Sequence, residues 1–183
     1  LAEPVPARVP PTPTRSCETP RIEQISSLFS ELECDYLINL AAPRVQPSLI
    51  VHPVTGVPRP DPVRTSRHLT LEPVLHDLVL ERLEQRLASC AGLPASHGEF
   101  LSLLQYRPGE EYKLHYDYFN TATSGAAVNL AQGGQRVQTL LVYLNDGFEG
   151  GATTFPRAGL SITPRRGDLV HFYNTDVTGE GDR

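Results

Sequence analysis

The chain lacks the features that would tie it to a bilayer or to a nucleic acid. No segment approaches the roughly 20 apolar residues that a membrane-spanning helix needs, and no short apolar core follows a basic start, as an intact signal peptide would require. The 16 Lys and Arg residues form no long run; Arg165-Arg166 is only a pair, which reads as a solvated turn. With a formal net charge of -5 and a pI near 5.7, a basic nucleic-acid surface is excluded. Cysteine is scarce as well: Cys17, Cys34 and Cys90 are odd in number and in no metal-binding spacing. Cys34 and Cys90 fall in segments of helical pattern and read as small buried apolar residues, while Cys17 sits in a proline-rich segment where a disulfide stays open. No internal repeat is visible. These absences predict a soluble chain without membrane or nucleic-acid partners, the cytoplasm being favoured over a secretory compartment. The first residue is Leu1 and not methionine, which predicts a processed or trimmed product.

At 183 residues the chain suits one domain with a short appendage. Residues 1–20 hold six prolines (Pro4, Pro6, Pro10, Pro11, Pro13 and Pro20), so they cannot repeat as helix or central strand and are expected to form an arm or linker. A proline-rich arm could also serve as a ligand for another protein or mimic a substrate. From Arg21 the pattern turns globular. Ile22 and Ile25 fit a short strand. Ser30 with Glu33 is a capping box ahead of Leu32, Tyr36, Leu37 and Leu40, which predicts a first helix ending near Pro43. Residues 43–62 hold six further prolines (Pro43, Pro47, Pro53, Pro58, Pro60 and Pro62) and should make an irregular excursion. Pro73 is expected to start a second helix whose Val74, Leu75, Leu78, Val79, Leu83 and Leu87 form one apolar core stripe, ending at Ala91-Gly92. Strands are expected at 100–106, 112–118, 137–144, 152–155 and 169–173. Two helices followed by short strands predict an α+β fold, with helices buttressing an antiparallel sandwich or barrel.

The residue pattern with most chemical content is His115-x-Asp117. On a strand, side chains two apart share a face about 7 Å apart, close enough for one imidazole and one carboxylate to hold a single ion. Two His and one carboxylate on one face of an octahedral ion make the non-haem Fe(II) arrangement, with positions left for an oxidising co-substrate and O₂. His115 and Asp117 supply two of those three. An isolated His-x-Asp also arises at solvated strand ends, so the neighbouring motifs decide between the two readings.

Those motifs are Tyr106-x-x-Gly109-x-x-Tyr112-x-x-His115-x-Asp117-x-Phe119, the run Arg136 to Asp146, Gly150-Gly151-Ala152-Thr153-Thr154-Phe155-Pro156, and Gly167-Asp168-x-x-x-Phe172-Tyr173-Asn174. In this order, over roughly residues 21–183, they closely resemble the prolyl 4-hydroxylase branch of the Fe(II)/2-oxoglutarate dioxygenases. The resemblance implies a double-stranded β-helix, or jelly roll, with the metal in its mouth and N-terminal helices as buttress. It implies Fe(II), 2-oxoglutarate as co-substrate and O₂, with ascorbate as a candidate accessory. His115 and Asp117 are implied as Fe(II) ligands. Tyr106 and Thr139 are implied as donors to the distal carboxylate of 2-oxoglutarate, with barrel packing as the other reading of both. Arg64, Ser66, Glu99, Tyr112 and Arg136 are implied to hold a proline-containing peptide or protein, in keeping with the Arg donors and aromatic platform that a polyproline II segment needs. The 43–62 excursion beside Arg64 is expected to close over substrate.

The implied activity is hydroxylation of peptidyl proline; a free amino acid or other small molecule as substrate, or a non-catalytic module for proline-rich partners, are the alternatives. In the resembled family a second His ligand and a basic anchor for 2-oxoglutarate follow the Phe-Tyr-Asn strand. Here Gly179-Glu180-Gly181-Asp182-Arg183 stands just before that point, so a truncated and by itself inactive chain is expected. His171, the one later histidine, lies within the 169–173 strand and is expected to pack there. Oligomeric state is not legible.

Overall fold

β1 (Thr14–Cys17) and β2 (Ile22–Ile25) open the fold as an antiparallel hairpin. Part of the stretch expected as arm or linker is therefore an edge strand: between Pro13 and Pro20 every residue keeps its N–H, and an edge needs bonds on one side only. The molecule is represented by a computed structural model that describes residues 11–51, 57–123, 126–176 and 181. Residues 1–10 of the proline-rich stretch and 52–56 of the 43–62 excursion lie outside them.

α1 (Glu31–Ala41) begins as the capping box dictates. Ser30 Oγ accepts from the Glu33 N–H (3.3 Å) and Glu33 Oε2 accepts from the Ser30 N–H (2.7 Å). α2 (Leu78–Ala91) starts later than Pro73 suggested, because Pro73–Leu75 makes a separate 3₁₀ turn and Asp77 takes the cap, its Oδ1 accepting from Val79 (2.9 Å) and Leu80 (3.0 Å). Gly92 ends it in the left-handed region. The late start changes the phase of the stripe. Leu80 and Leu83 are fully buried with Leu75 and Leu87 packed beside them, whereas Val74 (86% exposed), Leu78 (74% exposed) and Val79 (38% exposed) lie at the surface, so the expected stripe is corrected at those three residues.

The remaining elements are β3 (Gln46–Pro47), β4 (Ile50–Val51), β5 (Pro58–Arg59), β6 (Arg67–Thr70), β7 (Ser102–Gln105), α3 (Ala126–Gly133), β8 (Gln138–Val142), β9 (Thr153–Phe155), β10 (Leu160–Ile162) and β11 (Leu169–Tyr173). They form a four-stranded sheet β1-β2-β11-β8, a three-stranded sheet β3-β6-β7 and the pairs β4-β5 and β9-β10. Every strand pairing among the described residues is antiparallel. Helices with antiparallel sheets give the α+β class that the change of hydrophobic period implied.

One expected strand is missing. Residues 112–118 bend at 114 and at 117–118 and make only a short irregular ladder with 63–65: an Arg64–Tyr112 bridge, Lys113 N–H to Val63 O (2.9 Å) and Thr65 N–H to Glu111 O (3.0 Å). Pro60 and Pro62 on the facing segment have no N–H to extend it.

Alternation along the four-stranded sheet divides its two faces. Ile25, Leu169, Leu140 and Val142 turn toward Cys34, Leu37 and Ala41 of α1 and Leu80 and Leu83 of α2. Ile22, Val170 and Phe172 turn the other way, against Phe155, Leu160 and Ile162. Because Phe172 pairs with Thr139 and His171 with Leu140, Thr139 shares the face away from the helices and His171 the face toward them. α1 and α2 are tied by Arg86, whose guanidinium bonds both Glu33 oxygens (2.9 and 2.8 Å) and the Leu28 carbonyl (3.0 Å). α1 is tied to the sheet at Gly167, whose carbonyl accepts from the Phe29 N–H (3.0 Å) and whose N–H donates to Tyr143 O (2.8 Å). Gly167 has φ +82°, and a Cβ there would stand 2.3 Å from Phe29 O, so only glycine fits.

Candidate active site

β7 ends at Gln105 and the Pro108-Gly109 turn carries the chain into 112–119, which lies beside β8 on the face away from the helices. His115 and Asp117 meet there without a regular strand: Nε2 of the imidazole is 3.1 Å from Oδ1 of the carboxylate. His115 Nδ1 lies 2.6 Å from the Lys113 carbonyl, which can only accept, so Nδ1 carries a proton and Nε2, facing Asp117, is the nitrogen whose lone pair becomes available to an ion when the ring is neutral. Tyr112 stacks on that ring at 3.5 Å between centroids and 12° between planes. Burial acts to lower the His115 pKa, but the bonds to Asp117 and Lys113 outweigh it and raise it. For Asp117 burial acts upward, and the bonds from His115 and Thr139 hold it below the usual carboxylate range.

Thr139 is engaged by two side chains. Its hydroxyl donates to Asp117 Oδ2 (2.7 Å) and accepts from Asn174 Nδ2 (2.9 Å). Tyr106 stands just past β7, with its hydroxyl bonded to Ser66 and its pKa raised chiefly by burial, against the lowering effect of Ser66 and Arg64. Ser66 is 1% exposed and also bonds Ser48 (2.9 Å) and Arg64 Nε (3.3 Å). Arg64 lies over the Tyr112 ring at 4.9 Å. Arg64, Ser66, Tyr106, Tyr112 and His115 thus form one chain of contacts.

Glu99 and Arg136 make a second group. Arg136 holds both Glu99 oxygens (2.6 and 2.9 Å), donates to the Asp117 carbonyl (3.1 Å) and lies over the Phe119 ring at 4.7 Å. Gln135 clamps Phe119, accepting its N–H (2.7 Å) and donating to its carbonyl (2.9 Å). These bonds, and not a strand ladder, set the Asp117-to-Phe119 backbone. Sequence reasoning gave no role to Gln135 or to the Asn174 side chain; the signal for Asn174 was its place in the Phe172-Tyr173-Asn174 motif.

His171 is elsewhere. It is 2% exposed, bonds Gln138 Oε1 (3.0 Å) and lies 3.8 Å from Glu23, on the helix side of the sheet. Burial holds its pKa down, against the upward pull of Glu23. The packing role expected for it agrees with that placement.

His115 and Asp117 fit a metal ion as donors: an imidazole with its lone pair on Nε2, beside a carboxylate with Oδ2 engaged and Oδ1 facing the ring. Among the described residues no third His, Cys, Asp or Glu joins them. A family model described as the 2OG-Fe(II) oxygenase superfamily matches residues 101–179, the stretch that carries this pair. Over that stretch the chain is similar to members of that superfamily. An identity of 37% over 178 residues relates the chain to prolyl 4-hydroxylase 1 of Arabidopsis thaliana, covering 90% of this chain and 61% of the relative. Against prolyl 4-hydroxylase subunit alpha-1 of Mus musculus the identity is 34%, covering 90% of this chain and 30% of that one. The chain therefore spans less than two thirds of these relatives' length. Among solved structures, the 2OG complex of the viral collagen prolyl hydroxylase vCPH from Paramecium Bursaria Chlorella virus-1 superposes with a TM-score of 0.64 at 26% identity, over 87% of this chain and 82% of that one. The superfamily match extends over Tyr106, Tyr112, Arg136 and Thr139 as well; Arg64, Ser66 and Glu99 precede it.

Proposed function

We propose that this chain is the oxygenase region of an Fe(II)- and 2-oxoglutarate-dependent prolyl 4-hydroxylase acting on proline in a peptide or protein. The observation that carries the reading is the His115–Asp117 pair at 3.1 Å with the Arg64–Tyr112 cluster beside it, in a chain whose relatives are prolyl 4-hydroxylases. The sheets are read as parts of a jelly roll, with the pair at its open end. His115 Nε2 and Asp117 Oδ1 would hold Fe(II), which with 2-oxoglutarate and O₂ supplies the oxidant for the C4 hydrogen of proline; ascorbate is proposed as an accessory reductant.

The protein's share is positioning. The Lys113 carbonyl fixes the His115 tautomer, and Tyr112 fixes the plane of its ring. Tyr106, half-buried beside Ser66 and Arg64, is placed to turn its hydroxyl toward an entering dicarboxylate. Arg64 and Tyr112 on one side and the Arg136–Glu99 pair on the other offer donors, an aromatic face and an acceptor to a polyproline II backbone. Among the described residues two protein donors face the ion, and two donors alone hold a divalent ion weakly.

The test is succinate release by the full-length protein, with Fe(II), O₂ and either a proline-rich peptide or a panel of free amino acids. Release that depends on the peptide, with hydroxyproline formed in it, supports the reading. Turnover on small molecules alone moves the activity to the other substrate class, and peptide binding without turnover makes this a binding module.

A further inference from the structure

Asn174 and Thr139 form with Asp117 a three-member chain that leads from the end of β11 to the metal pair. Asn174 is 6% exposed, its N–H donates to Val137 O (2.9 Å), and its Nδ2 donates to Thr139 Oγ1 (2.9 Å). A hydroxyl has one proton. With an amide donor directed at its oxygen, the Thr139 proton is left for the acceptor on its other side, Asp117 Oδ2 at 2.7 Å. That bond engages one carboxylate oxygen and leaves Oδ1, 3.1 Å from His115 Nε2, as the outward one.

We infer that Asn174 is a positioning residue for the metal centre: through Thr139 it sets the rotation of the Asp117 carboxylate and keeps it a one-oxygen ligand. The inference rests on the function proposed above and gives Thr139 a role in supporting the ligand carboxylate, in addition to the co-substrate contact expected of it. The rigid end of the chain is β11, whose residues Leu169–Tyr173 are paired on both sides, whereas Asp117 lies in irregular backbone. A carboxylate without a strand to orient it takes its orientation from a side chain that has one. Groups bonded to a ligand in this way typically account for about 10 to 100-fold in metal affinity.

The experiment is Co(II) binding to the full-length protein, followed by titration and by the visible spectrum of the bound ion, with thermal unfolding alongside. Asn174→Leu, of similar volume but without the donor, and Thr139→Val should each weaken binding about tenfold or more and alter the spectrum. Thr139→Ser should restore both. Because the residues act in series, the double variant Asn174→Leu/Thr139→Val should bind no more weakly than Thr139→Val alone. Affinity and spectrum unchanged in Asn174→Leu, or losses that add in the double variant, overturn the inference while the proposed function stands. If Asn174→Leu does not fold, Asn174→Ser and the Thr139 pair are read by the same criteria. Parent protein that binds Co(II) equally well after His115→Ala overturns the proposed metal site, and the inference with it.

Discussion

The two faces of the β8–β11 strand pair serve opposite purposes from alternate residues. On the helix side Leu140 and Leu169 are packed against Leu80 and Leu83, and even the polar His171 is saturated by Gln138 and Glu23. On the other side Thr139 reaches out of the sheet to a carboxylate on a segment with no ladder of its own. The stable face is regular and carries no exposed chemistry; the reactive face takes its precision from side-chain bonds to an irregular backbone. A rigid sheet can therefore hold a site in place while the site itself stays open enough to admit a peptide.

The sharpest way to separate the faces is to remove Asp117. Asp117→Ala should bring Fe(II)-dependent turnover of the full-length protein to background while stability falls only by the loss of the bonds to His115 and Thr139, about 1 kcal/mol each. Turnover within a few-fold of the parent would show that the pair does not hold the metal. Leu83→Ala on the opposite face should do the reverse, lowering stability by about 2–5 kcal/mol in denaturant titration with metal affinity retained.

Tyr106→Phe removes a hydroxyl worth about 1.5 to 3 kcal/mol toward a carboxylate, so apparent 2-oxoglutarate affinity should weaken roughly 10 to 150-fold with peptide affinity little changed. A changed peptide affinity with an unchanged co-substrate requirement would assign Tyr106 to the peptide instead of the co-substrate.

Glu33 tests the helix side by pH. Burial acts to raise its pKa, but the bonds from Arg86 and Ser30 prevail and hold it at about 2, below the usual 4.5. A folded-state pKa below the unfolded one contributes stability that is fully present above about 4.5 and is lost as pH falls through about 2. Glu33→Gln should therefore cost about 1.5–3 kcal/mol at pH 7 in denaturant titration, with the difference from the parent shrinking as the pH is lowered through that window. A difference independent of pH would remove the ionised Glu33 from the helix junction. The smallest effect belongs to Val74→Ser, within about 0.5 kcal/mol, because that side chain faces water; a core-sized loss would restore the earlier stripe.

Where local chemistry settles an element, the sequence was enough to read it. Ser30 and Glu33 placed the start of α1, and alternation placed β11 at residues 169–173. Pro73 misled because a proline that can open a helix competes with a better cap, Asp77, a few residues on, and the phase of a stripe depends on which one prevails. α3 carried an alanine-rich signal in 126–133 but no apolar stripe to draw the eye. The sequence pointed to His115 and Asp117 as neighbours through a strand that does not form; what brings them together is tertiary bonds to Arg136, Gln135 and Thr139, all far along the chain. No periodicity encodes those.

Gly167 gives the fold a mechanical property. One residue is bonded at once to the lead-in of α1 and to the end of the β8 region, in a conformation that no side chain can share. A load applied to the helices is passed at that point into the strands that carry Thr139, through two hydrogen bonds and without hydrocarbon contact. The helical layer and the reactive face are thus joined by a rivet, and a tether or fusion attached at α1 would be felt at the site through it.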